Sequence, residues 1–335
     1  KKRDQNIYWS KQSNFTKISG TPIAYWVTRS VFGCFEDNPS IAKYAEVKNG
    51  MSTTDNDRFT RLWYEVNISN VGLGLPSATD AKKSAKRWFP YNKGGLFRRW
   101  FGNFLQVVNW EGDGREIKKA AEGASGGRIV SEECFFQRSM SWSKVSSGKF
   151  AVRMYDPGFI FDVAGPSVFS SDQDFYYFLG LLNSRVNYPC IEQLSPTINF
   201  EAGQVSCFPI KRDSDSGLVV SERASALTAI ARKDWDMAET SWSFSSFPLL
   251  ASEIPSNPLD YYYARFRDLV RSQIQQALQL EEENNRTLIG IYRLQDELTP
   301  EVRLSEITLT CNPHYRYGGD KSEQELEELL RADTM

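Results

Sequence analysis

Histidine is almost absent: His314 is the only one in 335 residues. A Ser-His-Asp or Cys-His nucleophile would have to use it, and a zinc site built on several histidines is impossible. The five cysteines, Cys34, Cys134, Cys190, Cys207 and Cys311, include no CxxC pair and are odd in number. Neither a zinc knuckle nor a disulfide framework is signalled, so free thiols in a reducing cytosol are expected. Long apolar runs are missing as well. The stretch Phe175–Leu182 is among the longest, far short of the ~20 residues that a membrane span needs. No N-terminal stretch combines a charged end, an apolar core and a small-residue cleavage site. A soluble, cytoplasmic protein with no membrane partner is expected, and no metal site.

Net charge is nearly missing too, at −2, yet it is unevenly spread. Residues 1–150 hold 24 Lys/Arg and 14 Asp/Glu, whereas residues 151–335 hold 16 and 28. Such asymmetry suggests a polyanion-facing part joined to an acidic scaffold part. Between Ala81 and Phe101 stand Lys82, Lys83, Lys86, Arg87, Lys93, Arg98 and Arg99 with no acid. Trp88, Phe89, Tyr91, Phe97, Trp100 and Phe101 interleave with them, around the turn signal Asn92-Lys93-Gly94-Gly95. Two readings stand open: a nucleic-acid surface, or a solvated basic face over a half-buried aromatic hairpin.

Along the chain, Pro22–Val27 is a short apolar segment that starts a strand or a helix. Residues 46–66 run from a polar loop into a strand candidate at Arg61–Val66, and Gly112–Gly127 reads as a surface loop. Phe150–Met154 and Phe159–Val163 read as strands joined by the turn Asp156-Pro157-Gly158. Ser170-Ser171-Asp172 offers N-cap residues for a helix over Phe175–Ser184. Helical spacing continues over Val220–Arg232, Leu259–Glu283 and Ser322–Leu330, with Glu281-Glu282-Glu283 and Glu323–Glu328 as solvated acidic faces. The fold class is α+β. The expected division is a connector over 1–45, a β-rich domain over 46–212 and a helical region over 213–335.

Several stretches, in order, are familiar: Gly50–Phe59 (GMSTTDNDRF), Arg87–Gly95 (RWFPYNKGG) with Arg98 and Arg99, Trp142–Phe150 (WSKVSSGKF), Gly158–Gly165 (GFIFDVAG) and Asn312–Gly318 (NPHYRYG). Together they resemble the PglX (BrxX) family, the adenine-specific DNA methyltransferases of BREX phage-defence systems. Leu179–Ser184, Asn199-Phe200 and Val205–Ile210 further resemble a target-recognition domain of the type I specificity-subunit kind, followed by helical spacer and C-terminal segments. The resemblance implies that a Rossmann-like methyltransferase domain precedes this region and that S-adenosylmethionine belongs to that domain. Asn312-Pro313-His314-Tyr315 and Asp156-Pro157-Gly158-Phe159 each lack the second proline of an adenine-methyltransferase motif, and Gly72-Leu73-Gly74 is a weak cofactor fingerprint. No catalytic residue and no cofactor is therefore expected in this chain, which is inert in methyl transfer by itself.

On that resemblance the chain positions double-stranded DNA for base flipping by the missing domain. Lys82, Lys83, Lys86, Arg87, Lys93, Arg98, Arg99 and Lys144 would hold phosphates, which fixes register without reading sequence. Thr54, Asn56, Asp57 and Arg58 form one base-reading candidate patch, and Ser146, Ser147 and Lys149 a second. Asp55, Asn56 and Asp57 read equally well as turn formers, and His314 as a structural hydrogen-bonder. The partners implied are DNA, the missing methyltransferase domain, other BREX proteins or a phage DNA-mimic inhibitor. The alternative is an assembly scaffold whose basic hairpin binds an acidic partner.

Overall fold

The computed structural model describes residues 27–124, 127–146, 149–250 and 258–334. Most of Pro22–Val27, and Ser147, lie outside them. The strands are β1 (Ala45–Lys48), β2 (Thr60–Leu62), β3 (Trp88–Asn92), β4 (Gln106–Asn109), β5 (Ser139–Trp142), β6 (Val152–Tyr155), β7 (Ile160–Phe161) and β8 (Ser167–Ser170). The helices are α1 (Arg29–Glu36), α2 (Asn56–Phe59), α3 (Ala78–Lys83), α4 (Glu111–Glu122), α5 (Asp172–Leu182), α6 (Asn187–Leu194), α7 (Ala202–Val205), α8 (Ser214–Asp236), α9 (Leu259–Tyr292), α10 (Pro313–Arg316) and α11 (Glu323–Thr334). The protein is α+β, as its sequence predicts.

Two small sheets lie at the centre. The first, in order β1-β8-β5-β6, is antiparallel throughout; the second, β2-β4-β3-β7, ends in a parallel β3–β7 pair. Side chains alternate between faces along a strand. Met140, Trp142, Val152, Met154 and Val168 of the first sheet therefore enter the main core with the helices, while Phe169 joins a second cluster with Phe59, Phe89, Tyr91 and Ile160. Ser139, Ser141 and Ser167 are small and buried, beside the large buried side chains of Arg153 and Tyr155. The Nδ2 of Asn92, on β3, donates to the Ser141 hydroxyl on β5 at 2.7 Å, tying the two sheets together. Gly50 lies so close to β7 that a Cβ there would sit 2.1 Å from the Phe161 carbonyl oxygen.

The predicted hairpin over 150–163 does not form. Strands β6 and β7 belong to different sheets, and the turn at Asp156–Gly158 carries the chain between them. Arg61–Val66 is strand only to Leu62, then a 3-10 turn over Trp63–Glu65. The stretch read as a loop from Gly112 belongs to helix α4, whose first turn is broken by three left-handed residues, Gly112, Asp113 and Gly114.

The helices are the most legible elements. Ser171 caps α5 by accepting from the Asp174 N–H, as expected from Ser170-Ser171-Asp172. Close packing of α5 on α8 depends on Gly180, where a Cβ would meet Val220 Cγ1 at 2.9 Å and Ala224 Cβ at 3.3 Å. Along α9, buried Tyr263, Phe266, Val270, Ile274, Ala277, Leu288 and Tyr292 follow the helical period. At the end of α5, Asn183 exchanges both amide groups with the backbone of Val152, at 2.9 Å each.

One hydrophobic cluster runs from Val31, Phe32 and Ile41 through the first sheet to α5, α8 and α9. Packing therefore begins before residue 46 and does not pause at 212. All five cysteines are free; Cys34, Cys134, Cys190 and Cys311 are buried and Cys207 is partly exposed. Burial pushes the Cys134 thiol up to about 11. Thiol labelling of the native protein at pH 8 is expected to modify one cysteine rapidly and the others only after denaturation. Two or more fast-reacting thiols would contradict this packing.

Candidate nucleic-acid interface

The residues read as a base-reading loop are part of a capped turn of helix. Asp55 accepts from the Arg58 N–H at 3.0 Å, the N-cap bond of α2, so the turn-former reading holds for Asp55. Asn56 has a different role. Its Oδ1 accepts from the Thr53 hydroxyl at 2.5 Å and from the Lys93 ammonium. Lys93 is half-buried, and desolvation lowers its pKa against the opposing pull of Asp162. Asp162 is itself buried and accepts from the Tyr91 hydroxyl. Thr54, Asn56, Asp57 and Arg58 are exposed, with Arg58 over the Phe59 ring at 4.8 Å and 3.6 Å from Glu116.

The turn after Lys93 docks on the segment after β5. The Ser143 hydroxyl donates to Gly95 O at 2.7 Å, and the Ser146 N–H donates to Ile198 O at 3.0 Å. Asn56 on α2 is thus bonded to Lys93, whose following turn packs on the segment that leads to Ser146. Lys149 does not join them. It pairs with Glu306, which also holds Arg185 at 2.7 Å, and Lys144 pairs with Glu201 at 3.0 Å.

The predicted phosphate ligands divide sharply. Lys82 and Lys83 occupy the last turn of α3, where the helix dipole favours cations, and are exposed. Lys86 donates to the Ser69 carbonyl. Arg87 reaches Glu111 only at 3.9 Å and lies over Trp88 at 5.5 Å, with Arg61 over the same ring at 5.8 Å. Next to α3, α4 presents Arg115 and Lys119 to solvent, and the two helices share the cluster holding Ala81 and Ile117. Among the described residues, Lys82, Lys83, Arg115, Lys119 and Arg128 make no ion pair. Sequence reading missed Arg115 and Lys119 because they stand among acids along the chain, and Glu111, Glu116 and Glu122 are exposed on α4 as well.

Arg98 and Arg99 correct the sequence reading. Each is 3% exposed, so neither is available to a phosphate. Arg98 donates to Phe101 O, Thr310 Oγ1 and Asp234 Oδ2, each at 2.6 Å. Arg99 donates to Glu281 Oε2 at 2.6 Å and Tyr188 Oη at 2.7 Å, and the Trp100 indole donates to Glu281 Oε1 at 2.8 Å. Burial opposes the Arg99 charge, but Glu281 and Tyr188 overcome it and hold the guanidinium above its ordinary pKa. Glu281, read as part of a solvated face, is 4% exposed. Its period was the available signal, because it falls in step with buried Ala277, Asn284 and Leu288. The turn Asn92–Gly95 does not fold Phe97–Phe101 back onto β3: β3 pairs with β4 instead, and Arg98–Phe101 turn inward.

The near-miss motifs have structural roles. Asn312 caps α10 by accepting from the His314 N–H at 3.2 Å, and its Nδ2 donates to Leu304 O at 2.7 Å and Ile307 O at 2.8 Å. His314 Nε2 stands 3.3 Å from Glu323. Asp156 grips Arg232 bidentately at 2.7 and 2.8 Å. Gly72-Leu73-Gly74 does not fit S-adenosylmethionine. It follows a 3-10 turn rather than a strand, and Gly72 packs where a Cβ would meet the Phe89 ring at 2.6 Å.

Comparison with known proteins then defines the class: relatives of adenine-specific methyltransferases. PglX of Lacticaseibacillus casei (strain Zhang) is 34% identical over 312 residues, covering 90% of this chain and 26% of its own length. BrxX of Escherichia coli O9:H4 (strain HS) is 32% identical over 330 residues, 97% of this chain and 25% of its own. The chain is a relative of the PglX and BrxX adenine-specific methyltransferases, of whose length it spans about a quarter. No family model matches. Among solved structures, the type IIL restriction-modification enzyme MmeI in complex with DNA aligns with 88% of this chain and 36% of its own at TM-score 0.47 and 12% identity. That loose likeness supports no argument here.

Removing one partner of a buried ion pair strands the other charge. Arg99→Ala is therefore expected to lower unfolding free energy by about 3–5 kcal/mol in urea denaturation. The exposed pair Lys82→Ala/Lys83→Ala should stay within about 0.5 kcal/mol of the parent chain. Equal, small effects would refute the division into buried and surface cations.

Proposed function

We propose that this chain is the double-stranded-DNA recognition part of a site-specific N6-adenine methyltransferase of the BREX type. It holds the duplex while a catalytic domain elsewhere in the whole protein extrudes and methylates the target adenine. The observation that carries the reading is the solvent face of α3 and α4, where Lys82, Lys83, Arg115 and Lys119 stand exposed on a chain related to adenine-specific methyltransferases. Cations without an internal partner can each release a counterion from a phosphate. S-adenosylmethionine would be held by the other domain. The division follows the same logic: residues 46–212 grip and read DNA, and 213–335 brace them.

Base reading falls to Asn56 and to the segment that leads to Ser146. The Lys93 bond fixes the Asn56 amide, leaving its Nδ2 uncommitted among the described residues, and Asp57 offers a carboxylate acceptor. A phage DNA-mimic inhibitor would compete for the cations of α3 and α4.

The test is fluorescence anisotropy with duplex DNA across a salt series, comparing the chain with Lys82→Glu/Lys83→Glu/Lys119→Glu. The parent should bind with steep salt dependence. The folded variant should lose at least about tenfold in affinity, with a log–log salt slope shallower by about 2.7, or 0.9 per cation removed. Salt-insensitive binding, or binding unchanged in the variant, would refute this surface as the phosphate grip.

A further inference from the structure

A cleft of about 310 Å³ opens between the second sheet and the C-terminal end of α8, and none of the cations of α3 and α4 lines it. Part of its lining is aromatic, from Phe101, Phe104, Phe159 and Trp242. The Trp242 ring runs nearly parallel to Phe104, at 15° with centroids 6.0 Å apart, and Phe159 lies 5.7 Å from Trp242. Pro90 and Pro157 complete the apolar lining. Trp242 is only partly buried, and its indole N–H has no hydrogen-bond partner among the described residues.

The polar groups are few and unbalanced. Arg232 is committed, gripping Asp156 bidentately and lying 4.0 Å from the Phe101 ring centroid. Asp236 accepts from the Ser241 hydroxyl at 2.7 Å through Oδ1. Its Oδ2 is uncommitted among the described residues, and no cation pairs with it there. The lining therefore carries one net negative charge, which repels phosphates and carboxylates and accepts from amino N–H groups. Ligand pockets span about 300–1,000 Å³, so this one admits a single ring system, with or without a sugar, rather than a dinucleotide.

We propose that this cleft binds one uncharged nucleobase, stacked on Trp242 and donating its amino hydrogens to Asp236. Stacking on a flat ring is available to every base, whereas the carboxylate favours adenine, guanine and cytosine, which carry an amino group, over thymine, which does not. The base comes either from a free nucleoside or from an unstacked position in a nucleic-acid strand. The site does not depend on the duplex grip, which uses other residues.

Saturation-transfer NMR and calorimetry on the full chain, with adenosine, guanosine, cytidine and thymidine, test the proposal. A short single-stranded oligodeoxycytidylate forms the second arm. Saturable binding by the amino-bearing nucleosides, weaker for thymidine, is expected. Trp242→Ala should weaken it at least about fivefold through loss of the stack. Trp242→Phe, which keeps a ring, should restore most of it, and Asp236→Asn should weaken cytidine but not thymidine. Should Trp242→Ala fail to fold, Trp242→Phe and Asp236→Asn decide. Trp242- or Asp236-dependent binding of the oligonucleotide alone would place the base on a strand, and of nucleosides as well would show that the base suffices. No saturable binding in either arm at millimolar concentration overturns the proposal, as does binding indifferent to both positions. Duplex affinity of Asp236→Asn, measured separately, should be unchanged, so this failure and that of the DNA reading are distinguishable.

Discussion

Two guanidinium groups hold the molecule together. Arg98 and Arg99 leave the second sheet, enter the helical layer and meet Asp234 on α8 and Glu281 on α9. Buried charges are tolerated only when paired and hydrogen-bonded. Here nearly every donor finds a partner, although Arg99 Nε has none. Thr308 and Thr310 supply further bonds to the same two residues, and Asp234 also accepts from the backbone N–H groups of Thr310 and Cys311 at 2.7 and 2.8 Å. The sheets' position relative to α8 and α9 brings both carboxylates to adjacent arginines, alongside the apolar core that joins the same elements.

The same constraint explains what could and could not be read from the chain. Helices α5, α8, α9 and α11 were legible because each writes an apolar period of its own, and Ser171 announces its cap. The resemblance to adenine-specific methyltransferases was legible because its motifs occur in order. Pairing between distant segments was not. Nothing local tells Phe159–Val163 that its neighbour is β3 rather than β6, and nothing in the row of cations from Lys82 to Arg99 marks its last two for burial. Their carboxylates lie 136 and 182 residues away.

Once those two arginines are removed from the surface count, the remaining cations sort by neighbour. Lys144, Lys149 and Arg185 brace other elements through Glu201 and Glu306, and Lys118 on α4 pairs with Asp113 and Glu132, whereas Lys82, Lys83, Arg115 and Lys119 are left to water. Charge density along a sequence and charge density on a surface are different quantities. Here the densest run lies partly inside, while exposed cations such as Arg115 and Lys119 are interspersed with acids along the chain.

Trp100 extends this argument to how such a chain can change over time. Its backbone N–H donates to Val152 O at 3.0 Å and its carbonyl accepts from the Met154 N–H at 2.8 Å, so a residue from the connection between β3 and β4 closes the free edge of the first sheet. The segment is thus stitched to one sheet, to α8 and to α9 at once. A recombination event that exchanged only residues 46–212 for a foreign segment would remove both buried arginines and leave Asp234 and Glu281 buried without their partners. Exchange of sequence is therefore easiest at exposed positions outside these contacts, or through transfer of the sheets and the long helices as one cassette.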